Sequence, residues 1–160
     1  NLEIQFTMLK NEKVIGDPLR IRQVCINILS NAVKYTPPGG FVKVEAWQED
    51  GLVLGYGNFV FRCTDTGVGM DPSFLEHIFQ PFERAQDHAG MKVAGTGLGM
   101  AITKNIIDLM NGDIQVESSP GKGTVFTVTI PLKLQDAPEE QVPKAWLGIN
   151  NAHAAGKCPG

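Results

Sequence analysis

The chain has 160 residues, 42% of them hydrophobic and 19% charged, which suits one globular domain with a real core and leaves no room for a second. A formal net charge of -3 argues against non-specific binding to nucleic acid, and no apolar run is long enough for membrane insertion. The three cysteines, Cys25, Cys63 and Cys158, have no metal-ligand spacing, which indicates a reducing, cytoplasmic compartment. Cys25 and Cys63 lie within apolar patterns and are interpreted as small core residues.

The first predicted elements are a strand and a long helix. Leu2–Met8 alternates apolar and polar residues, which predicts a half-buried strand, and Val14–Ile15 suggests a short partner strand. Asp17 is a suitable N-cap and Pro18 a suitable first residue for a helix that ends at Thr36, before two prolines. Apolar residues recur at helical spacing and define its buried face: Ile21, Val24, Cys25, Ile28, Leu29 and Ala32.

A polar stripe borders that buried face. Asn27, Asn31 and Lys34 fall on one side of the helix, next to the apolar residues rather than opposite them. Amide oxygens can ligate a hard cation, and a lysine one turn further on adds positive charge, so the three could hold a metal-phosphate pair. Taken alone, the stripe is more often a solvated helix flank than a binding site.

The remaining elements complete an α/β pattern. The first β-hairpin has strands at residues 41–48 and 58–65 with a turn at 49–51, and the second has strands at 113–117 and 124–130. Between the hairpins lie two helices, at residues 71–80 and 98–110. Asn111-Gly112 is expected to cap the third helix in a left-handed conformation, and Phe82–Gly97, long and irregular, is expected to be a functional lid. Order is expected to end at Pro131, so residues 1–132 are assigned to the domain and 133–160 to a linker or disordered tail.

The element order predicts a two-layer α/β sandwich in which a mixed, mostly antiparallel sheet carries three helices on one face. Two glycine-rich turns suggest where its chemistry lies. Asp65 ends a predicted strand and is followed by Gly67 and Gly69, so a flat ligand could approach the backbone and its amine could donate to the carboxylate. A plain Asp-Gly turn is an equally good interpretation of this piece by itself.

The second turn, Gly95–Gly99, directly precedes the third helix. Its backbone N–H groups and the positive end of the helix dipole are available to a phosphate chain, because no carboxylate caps this helix. The turn is not a Walker loop, since no lysine follows, and it is not a dinucleotide fingerprint, since Met100 stands where the third glycine is needed.

Together these pieces carry a specific resemblance. Four short motifs are similar, in order and spacing, to four boxes of one family: Asn27-x-x-x-Asn31 with Lys34-Tyr35, Asp65-x-Gly67-x-Gly69, Phe79-x-Pro81-Phe82 and Gly95-x-Gly97-x-Gly99. That family is the catalytic ATP-binding domain of sensor histidine kinases, whose fold is the Bergerat sandwich shared with gyrase-type ATPases. The resemblance covers residues 1–132.

The resemblance implies roles for individual residues. Asn31 matches the Mg2+ ligand, Asn27 a contact to phosphate or to a metal-bound water, Lys34 a phosphate contact and Tyr35 an apolar wall near adenine. Asp65 matches the adenine-reading aspartate. The other implied nucleotide contacts are Gly67 and Gly69 near the base, Gly95, Thr96, Gly97, Leu98 and Gly99 at the lid hinge, and Thr124 at the adenine end.

Two residues bear on the implied reaction. Arg84 is a candidate for neutralising charge on the γ-phosphate, although a solvated charge is an equally good interpretation. Hydrolysing members of the superfamily carry a glutamate general base where this chain has Asn27, and an amide cannot take a proton. The implied chemistry is phosphoryl transfer from ATP, with Asn27, Lys34 and Arg84 as the catalytic candidates.

The implied acceptor is a histidine outside this chain. His77, His88 and His153 lack the acceptor context of the family, so dimerisation helices of a larger kinase and a downstream receiver domain are the expected partners. The parent protein could be anchored in the inner membrane. Two alternatives remain open: an ATP-gated conformational module of the same superfamily, and a module that binds nucleotide without chemistry.

Overall fold

Six strands in the described part of the chain form one mixed sheet, and three helices cover one of its faces. The structure is a computed structural model that describes residues 1–6, 10, 13–83 and 96–135. The strands are β1 (Leu2–Phe6), β2 (Val14–Ile15), β3 (Val42–Asp50), β4 (Tyr56–Asp65), β5 (Asp113–Ser118) and β6 (Thr124–Leu134). Their order is β1-β3-β4-β6-β2, with β5 also paired to β6. Only the β1–β3 pair is parallel among these described strands, which confirms the predicted mixed, mostly antiparallel sandwich.

Helix α1 (Pro18–Tyr35) begins and ends as predicted. The Asp17 side chain accepts hydrogen bonds from the N–H groups of Leu19 and Arg20 at 3.0 and 3.2 Å, which satisfies two donors that would otherwise have no partner. Its most buried residues are Val24, Ile28 and Ala32. They pack on the sheet and confirm the predicted apolar face.

Helices α2 (Pro72–Leu75) and α3 (Gly99–Leu109) are shorter than expected. Asn111 has φ 54°, which confirms the predicted left-handed cap of α3. The sequence predicts an apolar face of α3 made of Leu98, Ala101, Ile102, Ile106, Leu109 and Met110, and this prediction is partly wrong. Ile102 and Leu109 are exposed, whereas Ile107 and the polar Thr103 are fully buried. Apolar residues surround most of this helix, so periodicity could not select the face that the sheet covers.

Two predictions about the strands are corrected by the structure. The β3–β4 turn lies at residues 51–55 rather than 49–51, because β3 extends through Asp50. The first strand does not bury one face as predicted, since its apolar residues Leu2 and Ile4 are 56% and 50% exposed. Strand β1 is an edge strand, and its parallel pairing with β3 provides the contacts that hold it. Met8, the predicted end of this strand, lies outside the described residues.

Pro131 does not end the order, since β6 continues to Leu134. The Leu134 N–H donates to the Gly55 carbonyl at 2.8 Å, and alternate N–H groups of a strand point to opposite sides. An N–H at position 131 would therefore point away from β4. On that side, β6 pairs with β5 up to Thr129 and with β2 from Lys133 onward. Pro131 lies in the gap between these two partners, so among the described strands no backbone acceptor there requires an N–H from residue 131.

The topology gathers three chain segments at one end of the sheet. Strand β4 ends there at Asp65, β6 begins there at Thr124 in register with it, and α1 ends there at Tyr35. None of the helices in the described residues has both the length and the apolar character needed to cross a bilayer. Most of the tail assigned to residues 133–160 lies outside the described residues, and the boundary stays a prediction.

Candidate functional site

A cavity of about 250 Å³ lies between α1, the segment after β4, α2 and the first turn of α3. It brings together most of the residues singled out in the sequence: Asn27, Asn31, Lys34, Tyr35, Asp65, Gly69, Thr96, Gly97, Gly99 and Thr124. Gly67 and Leu98 do not line it. Gly95 and Arg84 lie outside the described residues, so their expected roles stay predictions.

Asp65 forms the buried polar end of the cavity. The side chain is 6% exposed, and its Oδ1 accepts a hydrogen bond from the Gly67 N–H at 2.8 Å. Burial raises the pKa of this carboxyl, and hydrogen bonds from the backbone of Gly67 and Thr124 oppose the increase. A carboxylate held in this way can accept a further hydrogen bond from a ligand amine.

Gly67 and Gly69 are needed for contacts inside the protein as well as for any approach of a ligand. A Cβ on Gly67 would lie 2.6 Å from the Tyr35 carbonyl oxygen and 2.7 Å from Asp65 Oδ1. Gly69 has φ +68°, and a Cβ there would lie 1.9 Å from the Ser119 carbonyl oxygen. The missing side chains therefore let the turn after β4 pack against α1 on one side and the β5–β6 turn on the other.

The turn before α3 faces the cavity with its backbone. Gly97 has φ +70°, and its carbonyl accepts a hydrogen bond from the Phe82 N–H at 3.0 Å. At Gly99, apart from its chain neighbours and the backbone of α3, the nearest atom of the described residues to an added Cβ would be Asn27 Cγ at 4.0 Å, so this position is open among those residues. Leu98, the N-cap residue, gives no side-chain hydrogen bond to the first turn, as the sequence predicted for an uncapped helix start.

Asn27 links α1 to α3. Its Nδ2 donates to the Gly99 carbonyl at 3.2 Å and to Thr103 Oγ1 at 3.1 Å. One turn beyond Asn31, Lys34 places its Nζ 5.1 Å from the centroid of the Tyr35 ring. The cavity wall on α1 is thus made of two amides, a lysine and an aromatic ring, which is the combination that the sequence predicted.

The apolar part of the cavity was not predicted from the sequence. The apolar lining residues are Met70, Phe74, Ile78, Met100, Ala32 and Val68, and the polar Ser30 and Glu83 also line the cavity. Phe74 and Ile78 could have been found, because the sequence predicts that Phe74, Leu75 and Ile78 lie on one apolar side of the second helix. Met70 and Met100 each follow a glycine turn and had no periodic pattern to mark them. No sequence pattern marked Thr103 either, because its contact with Asn27 joins residues 76 positions apart.

Comparison with known proteins identifies related chains. A family model described as "Histidine kinase-, DNA gyrase B-, and HSP90-like ATPase" matches residues 16–134. The circadian input-output histidine kinase CikA of Synechococcus elongatus is 41% identical over 128 residues, which are 80% of this chain and 16% of that protein. The sensor histidine kinase RcsC of Escherichia coli is 38% identical over 143 residues, or 86% of this chain and 14% of RcsC. The chain thus spans about a sixth of the length of these relatives.

Solved structures agree with these sequence relationships. The mycobacterial sensor histidine kinase MprB superposes with a TM-score of 0.65 at 30% identity, covering 83% of this chain and 84% of that one. Full-length ShkA in complex with AMPPNP superposes with a TM-score of 0.62 at 30% identity, covering 83% of this chain and 26% of ShkA. Both matches cover the two-layer sandwich described above.

Proposed function

Because this chain belongs to the histidine kinase-, DNA gyrase B- and HSP90-like ATPase family, we propose that it transfers the γ-phosphate of ATP to a histidine of its parent kinase. The acceptor would lie on dimerisation helices outside this chain. The observation that carries the proposal is that Asn31, Asp65 and Gly97, from three separate parts of the sequence, line one cavity. Had these residues lined different cavities, the three sequence boxes to which they belong would have had no common ligand.

The adenine base would occupy the end of the cavity that Asp65 forms. The carboxylate would accept a hydrogen bond from the exocyclic amine, with Thr124 beside it in the paired strand. The apolar side chains of Met70, Phe74 and Ile78 provide the walls that a flat base needs. Gly69 adds backbone surface to the same end.

The phosphates would lie toward the other end, between α1 and the start of α3. Gly97 and Gly99 offer backbone there, and Asn27, Asn31 and Lys34 offer polar side chains. Amide oxygens fit Mg2+, which prefers oxygen ligands together with phosphate and water, so Asn31 is assigned as its protein ligand. The bound metal would supply positive charge to the phosphate oxygens. Arg84, outside the described residues, remains a candidate for the γ-phosphate.

Transfer rather than hydrolysis follows from Asn27. Its amide cannot act as a general base, and its nitrogen is engaged with the first turn of α3. This favours a domain that delivers phosphate to a positioned acceptor over an ATP-gated conformational module. A module that binds nucleotide without chemistry is the second alternative. Relatives named as histidine kinases favour the first proposal.

The wider assignments rest on the relatives. We expect the parent protein to contain dimerisation helices and to act with a receiver domain, and we expect this domain to lie in the cytoplasm, with or without a membrane anchor elsewhere in the parent. We expect this chain neither to bind nucleic acid nor to insert into a membrane.

The proposal is tested by titrating the chain with ATP in the presence of Mg2+ and then supplying a dimerisation domain that carries an acceptor histidine. Calorimetric binding followed by acid-labile phosphate on that domain is the expected result. Binding without transfer would favour the non-catalytic module, and absence of binding would remove the nucleotide assignment altogether.

A further inference from the structure

Thr103 is a polar side chain in a fully buried position. It lies on α3 with 0% exposure, beside Ile106 and Ile107, which face the apolar core. A buried hydroxyl is costly unless it is hydrogen-bonded, and Oγ1 of Thr103 accepts from Asn27 Nδ2 at 3.1 Å. The hydroxyl therefore has a specific partner, and that partner is a residue of the cavity wall.

The pair of acceptors around Asn27 fixes which end of its amide faces α3. The Gly99 carbonyl can only accept, so the amide must present its nitrogen there, at 3.2 Å. Thr103 Oγ1 provides a second acceptor for the same nitrogen. With both acceptors on one side, the Oδ1 atom is directed away from α3. With the Gly99 carbonyl alone, the amide would be held by a single bond and could turn more freely.

We propose that Thr103 is a positioning residue that orients the Asn27 amide so that its oxygen, rather than its N–H groups, is offered to the metal-phosphate end of the cavity. This inference rests on the proposed function, because it assigns the use of that oxygen to bound Mg·ATP. Thr103 itself does not line the cavity, so it acts only through Asn27. Since α3 begins at Gly99, the last glycine of the turn, the same contact ties the metal end of the site to the helix start.

The test compares Thr103→Val with Thr103→Ser in the full chain. Valine keeps the shape and removes the hydroxyl, whereas serine keeps the hydroxyl and removes a methyl group. Ile107→Val is the matched control, because it trims a fully buried side chain one turn further along α3 and neither side chain can hydrogen-bond to Asn27.

The first measurement uses protein without nucleotide. Nuclear magnetic resonance of the Asn27 side-chain amide, labelled with 15N, should show protected N–H exchange in wild type, in Thr103→Ser and in Ile107→Val. Exchange should accelerate in Thr103→Val. If Thr103→Val does not fold, Thr103→Ala against Thr103→Ser provides the same comparison.

The second measurement is calorimetric titration with ATP, with and without Mg2+. Thr103→Val should weaken Mg·ATP binding by roughly threefold to tenfold, the loss expected for one hydrogen bond, and should leave metal-free binding nearly unchanged. Amide exchange and Mg·ATP affinity both equal to those of Ile107→Val would overturn the role of Thr103. Absence of ATP binding by wild type would instead overturn the proposed function, whatever the Thr103 variants do.

Discussion

The Val68 N–H donates to the Tyr35 carbonyl at 3.1 Å, which joins the last residue of α1 to the turn after β4. The Val68 carbonyl in turn accepts from the Gly121 N–H at 2.7 Å, in the β5–β6 turn. Three segments far apart in sequence are thereby held at one end of the sheet. The amides of α1 and the carboxylate of Asp65 consequently belong to a single wall, whose geometry depends on how closely these backbones approach.

Gly67→Ala should disturb that wall. The new methyl group would lie 2.6 Å from the Tyr35 carbonyl oxygen, so either the helix end or the turn must move. We expect a loss of about 1–3 kcal/mol in the free energy of unfolding, as for other overpacked sites, and weaker ATP binding. Urea unfolding measures the first and calorimetry the second. Wild-type stability would show that the contact is not tight.

Gly99→Ala should separate stability from binding. Among the described residues, and apart from the chain neighbours and backbone of α3, only Asn27 Cγ comes within 4.0 Å of the added Cβ, and alanine favours the helix over glycine. We expect a melting temperature equal to or above that of wild type, together with weaker ATP binding, because the methyl group enters the cavity. Unchanged affinity would place the phosphates elsewhere. This variant is also the matched control for Gly67→Ala.

Sequence alone predicted the fold class, the limits of α1 and the residues of the polar wall, because each depends on local rules. Asp17 is a cap, the prolines stop the helix, and the apolar spacing defines one face. It did not predict that Gly67 packs against Tyr35 or that Thr103 holds Asn27, since these are contacts between distant segments. It also could not locate the end of β6, because whether a proline is tolerated depends on which strands pair beside it.

Asp65 should make stability depend on pH in a defined direction. Burial raises the pKa of its carboxyl in the fold above the ordinary value of 3.8, so the folded state binds this proton more tightly than the unfolded chain. Its contribution to stability is complete below the ordinary pKa and is lost as pH rises through the folded pKa. Asp65→Asn does not titrate, so its stability relative to wild type should increase through that window. Urea unfolding of both proteins over a pH series measures this difference.

The same substitution should abolish ATP binding, because the exocyclic amine of adenine would lose its charged acceptor. Wild-type affinity should also weaken on acidification earlier than for an ordinary aspartate, since the protonated carboxyl accepts poorly. Calorimetry at several pH values provides the test. Wild-type affinity in Asp65→Asn would exclude this carboxyl as the adenine contact.

Asn31→Ala should show whether the Asn31 amide is a ligand of Mg2+. Removing an amide oxygen that ligates Mg2+ should weaken Mg·ATP binding by roughly 1.5–3 kcal/mol, about tenfold or more, while ATP in the presence of EDTA should bind almost as it does to wild type. Equal losses under the two conditions would contradict the ligand role. Ser30→Ala, next to it in the same helix and also on the cavity, is a suitable control.

Cys63 should be unreactive in the folded protein. Burial, with the nearby Asp65 charge and Cys25, raises the pKa of its thiol to about 12, so almost no thiolate exists at neutral pH. Burial also raises the pKa of Cys25. Iodoacetamide followed by peptide mapping should label Cys63 rapidly only after unfolding in urea. Rapid labelling of the native protein would show that this part of the core opens.

The hydrogen bond from the Phe82 N–H to the Gly97 carbonyl has a consequence for which residue can stand at position 97. It brings together the two ends of the intervening stretch, and a Cβ at Gly97 would lie only 2.9 Å from the Phe82 Cα. Since Gly97 also has φ +70°, residue 97 has to be glycine for the backbone alone, whether or not a phosphate approaches it.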